Sequence, residues 1–242
     1  MASTSTAGAV AVYCGSSFGT EKAFSLAAIS LGHAIADAKR PLVYGGGDHG
    51  IMGVVSGAVL DHGGKVTGII PYAMVSAGGE SDKGDLDRPQ STVRLNEAGR
   101  EEIEHVVVHS MHERKVEMAR RVCGFFGLPG GFGTFEEVLE VTTWTQLGIH
   151  NKPVVLLNVL SFFEPLRRLI DNGIEYGFIK SASKDLIIFV DGPSSLTEHE
   201  SFNWGEAALQ ALDNWRPRDV GEGLFDWTTQ PDGKNAEPLN ST

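Results

Sequence analysis

Short apolar, β-branched runs alternate along this chain with segments whose apolar residues recur every three or four positions. The runs read as strands and the segments as helices. Residues 9–14 (AVAVYC) form the first run, which ends in Gly15-Ser16-Ser17. Phe24, Ala27, Ala28, Leu31, Ala34 and Ile35 follow at helical spacing, with Thr20 as the cap residue. Further strands are expected at residues 41–44, 65–70 (closed by Pro71), 105–109, 123–128, 153–157 and 186–190. Further helices are expected over residues 51–61, 110–121, 134–147, 162–172 and 194–215. Residues 72–101 break the rhythm. They are rich in Gly, Ser, Asp and Arg without a clear period, and read as a long surface loop or insertion covering a site.

Strands alternating with helices imply parallel pairing through right-handed crossovers. The expected fold is a three-layer, doubly wound, Rossmann-like α/β domain: a mostly parallel sheet with helices on both faces. No internal repeat or linker interrupts it, so residues 9–216 are read as one domain. The polar tails 1–8 and 217–242 are expected to be disordered.

Composition narrows the partners. The 242 residues are 41% hydrophobic and 21% charged, which excludes wholesale disorder. Twenty Lys and Arg against 31 Asp and Glu give a net charge of −11. That balance argues against a nucleic acid or an anionic membrane surface as the main partner, while leaving room for a small anion at a locally positive site. Cys14 and Cys123 are too few for a disulfide framework or a zinc site of their own. The opening MASTSTAGAVAVYCG lacks the features of a leader, and no apolar run reaches membrane-spanning length, so a cytoplasmic protein is expected.

Ligands of such folds sit at the carboxyl ends of strands. Gly45, Gly47 and Gly50 match G-x-G-x-x-G between a strand and a helix, but Thr67 to Tyr72 offer no acidic residue for a ribose, which disfavours NAD. The loop then serves either close backbone approach to another ligand or tight helix–strand packing. Pro129-Gly130-Gly131-Phe132-Gly133-Thr134 is a sharper signal. Its glycines and the helix start behind them suit a phosphate, and without a P-loop lysine a monophosphate fits best. Thr134-x-x-Glu137 is equally a capping box, so capping and catalysis both remain open for Glu137. Ser110-x-x-Glu113 is another possible box. Met111, Arg114, Lys115 and Met118 share one helical stripe, facing either solvent or a pocket. The eight histidines show no paired metal spacing, so no metal is expected. No G-x-S-x-G elbow is present, and no lysine stands out for a Schiff base. Trp144, Leu147 and Ile149 read either as an interface patch or as core.

At these residues the chain resembles the LONELY GUY (LOG) family of cytokinin riboside 5′-monophosphate phosphoribohydrolases, long mislabelled lysine decarboxylases. P-G-G-x-G-T-x-x-E stands intact from Pro129 to Glu137, and M-H-x-R-K-x-x-M from Met111 to Met118. Cys14 to Ser17, Tyr44 to Gly47, Gly50 to Gly53 and Trp144 to Gly148 also match, so the likeness covers about residues 9–190. The departure is at residues 72–105, longer than the compact plant form. The resemblance implies hydrolysis of the N-glycosidic bond of cytokinin riboside 5′-monophosphates, and of AMP, to free base and ribose 5-phosphate. It implies Glu137 and Arg114 as catalytic residues. Gly130, Gly131, Gly133 and Thr134 would take the phosphate, and Met111, Lys115, Ser16 and Gly45, Gly46 and Gly47 would line the nucleotide site. It further implies no cofactor and a homo-oligomer, with a dimer favoured. A non-catalytic nucleotide sensor is the alternative, and a pyridoxal phosphate decarboxylase ranks well behind both.

Overall fold

Side chains of a strand point alternately to its two faces, so a strand buried on both needs helices above and below. The computed structural model describes residues 8–76, 102–216 and 227. Within them lie β1 (Val10–Tyr13), β2 (Leu42–Tyr44), β3 (Val66–Pro71), β4 (Ile103–Val108), β5 (Gly124–Gly127), β6 (Val154–Leu157) and β7 (Ile187–Val190). They form one sheet in the order β4-β3-β2-β1-β5-β6-β7, and every pairing is parallel. The helices are α1 (Lys22–Asp37), α2 (Gly50–Asp61), α3 (Tyr72–Ser76), α4 (Met111–Arg121), α5 (Phe132–Leu147), α6 (Glu164–Glu175) and α7 (Trp204–Asn214).

Alternation along β1 sorts the two faces. Val10 and Val12 join an apolar cluster with Leu31 and Ile35 of α1, Val55 and Val59 of α2, and Trp204 and Leu212 of α7. Ala11 and Tyr13 join the other cluster, with Met118 of α4 and Val138 and Val141 of α5; Leu166 and Ile170 of α6 pack at its margin. This is the expected three-layer doubly wound fold. The chain steps outward from β1 through β2 and β3 to β4, then crosses back to lay β5 on the other side of β1. The order therefore reverses beside β1, and a crevice opens there at the carboxyl edge.

Several boundaries differ from those read in the sequence, each for a local reason. α1 begins after Glu21 with no side-chain cap, and Thr20 donates instead to the Glu21 carboxylate. Its far end closes in a Schellman motif, with Lys39 N–H on Ala36 O and Arg40 N–H on Ile35 O, although Lys39 must adopt φ 54° to make it. The last helix is split. Leu196–Glu200 is a 3₁₀ turn, and α7 starts afresh where the Asn203 side chain accepts from Glu206 N–H. β4 starts earlier than expected, at Ile103; it is the edge strand, and exposed Glu104 hid it from an apolar reading. α3 occupies the start of the aperiodic segment. Residues 77–101 lie outside the described residues, as do 1–7 and 217–242 apart from Trp227; so do the expectations of a covering loop and disordered tails. Among the described residues, no helix is long and apolar enough to cross a membrane.

Candidate active site

Three loops meet at the switch point and are knitted by backbone hydrogen bonds. Gly15 N–H donates to Pro129 O at 3.1 Å, joining the loops after β1 and β5. Met52 N–H donates to Gly15 O at 3.2 Å and Ile51 N–H to Ser17 O at 3.4 Å, joining the β1 loop to the start of α2. Gly50 holds φ +60°, and a Cβ there would stand 2.2 Å from the Ser16 carbonyl carbon. At Gly50 the G-x-G-x-x-G turn therefore packs directly on the loop after β1. Gly46, at φ +81°, leaves room for Ile70, and a Cβ on Gly45 would stand 2.0 Å from Arg114 Nη2. The surroundings of Gly45, Gly46 and Gly50 fit the tight-packing reading of this loop.

The start of α5 is different. Its N-cap is Gly131, with no side chain capping it, and its first turn carries no acid. A Cβ added at Gly131 or Gly133 would meet nothing within 4 Å, so the space above this helix end is open. Gly130 is packed instead, against Gly15 N and Thr134 Oγ1. The helix begins at Phe132, not at Thr134 as the spacing suggested. Thr134 is buried in the first turn and Glu137 lies a turn into the helix, so the two form no capping box. At the start of α4 the other box is real in modified form. Ser110 Oγ accepts from Glu113 N–H at 3.0 Å, and Glu113 Oε2 accepts from His109 N–H at 2.7 Å.

The α4 stripe faces inward. Arg114 is 3% exposed and Lys115 9%, whereas Met111 keeps 42% of its surface open. Arg114 Nη2 lies 3.7 Å from Glu137 Oε1, and Glu137 is 9% exposed. At that separation the two opposite charges attract, against the cost of burying both. The Nη1 nitrogen lies 3.8 Å from Met111 Sδ and 3.9 Å from Met74 Sδ. Lys115 turns toward α5, where its ammonium meets Glu136 and lies 3.0 Å from Glu140 Oε2. Burial alone would lower the lysine pKa; the two carboxylates outweigh it and raise it. Beneath lies Tyr13, whose buried hydroxyl has no hydrogen-bond partner among the described residues. Burial first, then the Glu137 charge, holds its pKa well above 10, so it stays protonated.

Together these elements enclose a cleft of about 240 Å³ lined by Cys14, Gly15, Ser16, Met52, Met111, Arg114, Gly131, Phe132, Gly133, Thr134, Glu136 and Glu137. Of the residues singled out in the sequence, the lining includes Ser16, Met111, Arg114, Gly131, Gly133, Thr134 and Glu137. Gly45, Gly46, Gly47, Gly130 and Lys115 are not in it; Gly45 and Lys115 stand behind it, against Arg114 and the α5 carboxylates. Sequence reading gave no site role to Cys14 and Met52, though both stand in matching motifs, nor to Tyr13 and Met74, which lie against the site without lining the cleft. The run Tyr72-Ala73-Met74-Val75 directly after a strand-closing Pro71 was the available signal for the last. Trp144 packs at the margin of the core with its ring centroid 6.0 Å from that of His150, and Leu147 O accepts from Trp227 Nε1 at 3.0 Å. Among the described residues, no group of three or more His, Cys, Asp or Glu could hold a metal ion.

Comparison with known proteins identifies the family. The model of a family described as "Possible lysine decarboxylase" matches residues 52–199. The chain is 42% identical over 223 residues to the cytokinin riboside 5′-monophosphate phosphoribohydrolase LOG2 of Arabidopsis thaliana, covering 91% of both chains. It is 44% identical over 216 residues to LOG5 of the same plant, which bears the same activity name, covering 89% of this chain and 81% of that one. Among solved structures, the molybdenum cofactor carrier protein of Chlamydomonas reinhardtii superposes with a TM-score of 0.53 at 18% identity, over 86% of this chain and 99% of that one; this likeness concerns the fold alone. The intact motifs, the doubly wound sheet and the extent of this identity agree: the chain belongs to the LONELY GUY (LOG) family.

Proposed function

We propose that the protein hydrolyses the N-glycosidic bond of cytokinin riboside 5′-monophosphates, and of AMP, releasing free base and ribose 5-phosphate. One observation carries the reading: a buried carboxylate–guanidinium pair, Glu137 and Arg114 at 3.7 Å, sits one turn beyond an open, uncapped helix N-terminus. The phosphate takes the α5 end at Gly131, Gly133 and Thr134, where backbone N–H groups and the helix dipole favour an anion. Ser16 borders the same space. Binding there supplies energy remote from the reacting bond and sets the ribose against Glu137.

Glycosidic cleavage develops positive charge on the ribose ring. The Glu137 carboxylate stabilises that charge and orients water toward the anomeric carbon. Arg114 holds the carboxylate in place from one side. The curated relatives named above carry the corresponding activity in their names and support the assignment. We further propose a homodimer in the cytosol. Leu139 and Leu147 leave exposed apolar surface on α5, and a chain with only two cysteines, too few for a disulfide framework, suits a reducing compartment.

The test is a product assay with AMP, an isoprenoid-adenine riboside monophosphate and the corresponding free riboside. Free base from both monophosphates and none from the riboside is the expected result. A raised melting temperature with AMP but no base from any substrate would make the protein a nucleotide sensor instead. Light scattering at several concentrations tests the dimer.

A further inference from the structure

We propose that Tyr13 is a positioning residue for Glu137: with nucleotide bound, its buried hydroxyl donates a hydrogen bond to the Glu137 carboxylate and holds it ionised and aimed at the ribose. The inference rests on the hydrolase reading above and deepens it.

Tyr13 is the last residue of β1, directly before the Cys14 and Gly15 that line the cleft. Its side chain is buried on the face of the sheet that α4 and α5 cover. The ring stacks on Phe125, with centroids 5.8 Å apart and planes 13° from parallel. It shares one apolar cluster with Val138 and Val141 of α5. Val138 follows Glu137 in the chain, and Val141 lies one helical turn beyond it. Among the described buried members of that cluster, only Tyr13 carries a side-chain oxygen. Phenylalanine would serve the packing equally. A buried hydroxyl without a partner costs stability, so its place here calls for an explanation outside the fold.

The charges around the oxygen supply one. The hydroxyl stays protonated and is therefore a donor, because burial first and the Glu137 charge second hold its pKa well above 10. Arg114 and Lys115 are donors themselves and cannot receive its proton. The acceptors near it are the carboxylates of Glu136, Glu137 and Glu140, of which Glu137 acts on it most strongly. Glu136 and Glu140 are drawn to Lys115. Glu137 faces Arg114 at 3.7 Å, beyond ordinary hydrogen-bond length, and a carboxylate accepts up to about four hydrogen bonds. One contact leaves a carboxylate free to turn about its terminal bond, whose torsion is broad. A second donor, from beneath, fixes its plane. A hydrogen bond to the charged form also favours that form, which is the one that stabilises a cationic ribose.

The experiment compares the full-length wild type with Tyr13→Phe, which removes one oxygen and keeps the ring, in release of base from AMP as a function of pH. Tyr13→Phe is expected to lower kcat by about tenfold with KM within about twofold, and to move the acid limb of the kcat profile up by about 0.5 pH. Its melting temperature should hold or rise, since the lost hydroxyl has no partner among the described residues of the free protein. The proposal is overturned if kcat stays within about twofold or the acid limb stays in place. A melting temperature lower by more than about 4 °C overturns it too, because the hydroxyl would then be a structural bond. If the wild type releases no base, the hydrolase reading fails separately, and the Glu137 carboxyl carbon is titrated by NMR with AMP present, its signal assigned through Glu137→Gln. A midpoint higher by about 0.5 pH or more in Tyr13→Phe sustains the proposal. An equal midpoint, or no binding of AMP, overturns it.

Discussion

α2 and α5 both begin in glycine-rich loops at the carboxyl edge of the sheet, yet their first turns face different surroundings. At α2 the backbone donors of Ile51 and Met52 are taken by Ser17 O and Gly15 O, and Gly50 presses on the Ser16 backbone. At α5 no side chain caps the helix, and Gly131 and Gly133 open onto the cleft. The first loop spends its glycines on joining the parts of the protein, the second on leaving room. A glycine motif alone therefore says little about anion binding; what matters is whether a Cβ would meet protein or space. Of the two motifs, the one closer to the familiar dinucleotide pattern is the one more closely packed against protein.

The difference can be broken at several points. The largest expected effect is at Glu137. Glu137→Gln should lower turnover by about 10²-fold or more in the product assay, with an unchanged circular dichroism spectrum. Retained turnover would reduce Glu137 to a structural partner of Arg114. Gly50→Ala comes next and should strike folding first. A left-handed backbone and a clash with Ser16 together cost roughly 3 kcal/mol, read as a shift in the denaturation midpoint. A stable Gly50→Ala protein would contradict the packing role of the α2 loop.

The far end of α5 supplies a pH test. His150 is buried between Phe125 and Trp144. Burial, with Lys152 adding to it, holds its pKa at about 3 against an ordinary 6.5. Below about pH 6.5 the unfolded chain takes up a proton that the folded one refuses until about pH 3. Stability should therefore fall as pH falls through that window, by at most about 1.4 kcal/mol per unit. His150→Leu should flatten the slope by one proton without changing nucleotide binding; an unchanged slope between pH 6 and 4 would refute this.

The smallest effect separates the two loops most cleanly. Gly133 already sits in the helix and faces open space, so Gly133→Ala should raise stability by about 0.5 kcal/mol through helix propensity. The same methyl would stand in the space proposed for the phosphate, so KM for AMP should rise. Stability and affinity moving together, in either direction, would remove the distinction between the loops.

Much of this was legible in the sequence because the parallel sheet writes itself as buried apolar runs. β1, β2, β3, β5, β6 and β7 all announce themselves in that way. β4 was legible only in part, because an edge strand with exposed Glu104 does not look apolar at its start. The order of the strands was not legible at all; the jump that places β5 beside β1 depends on contacts far apart in the chain. At the cleft, the stripe of Met111, Arg114, Lys115 and Met118 was visible, but its direction was not. Periodicity cannot tell a solvated cation from one buried against Glu137 or Glu140. The start of α5 was misjudged by two residues, because Gly131 and Gly133 are poor helix formers and Thr134 is a good cap. Met74 was hidden because five helical residues after Pro71 are too few to show a period.

Gly45 lies outside the lining of the cleft, yet it decides where the guanidinium can be. Arg114 Nη2 stands where the smallest possible side chain at position 45 would need to be. The Arg114–Glu137 pair is thus registered by an aperture in β2's outgoing loop. Any other residue there would plug it, so a single methyl group could move Arg114 away from Glu137 while every residue lining the cleft kept its identity.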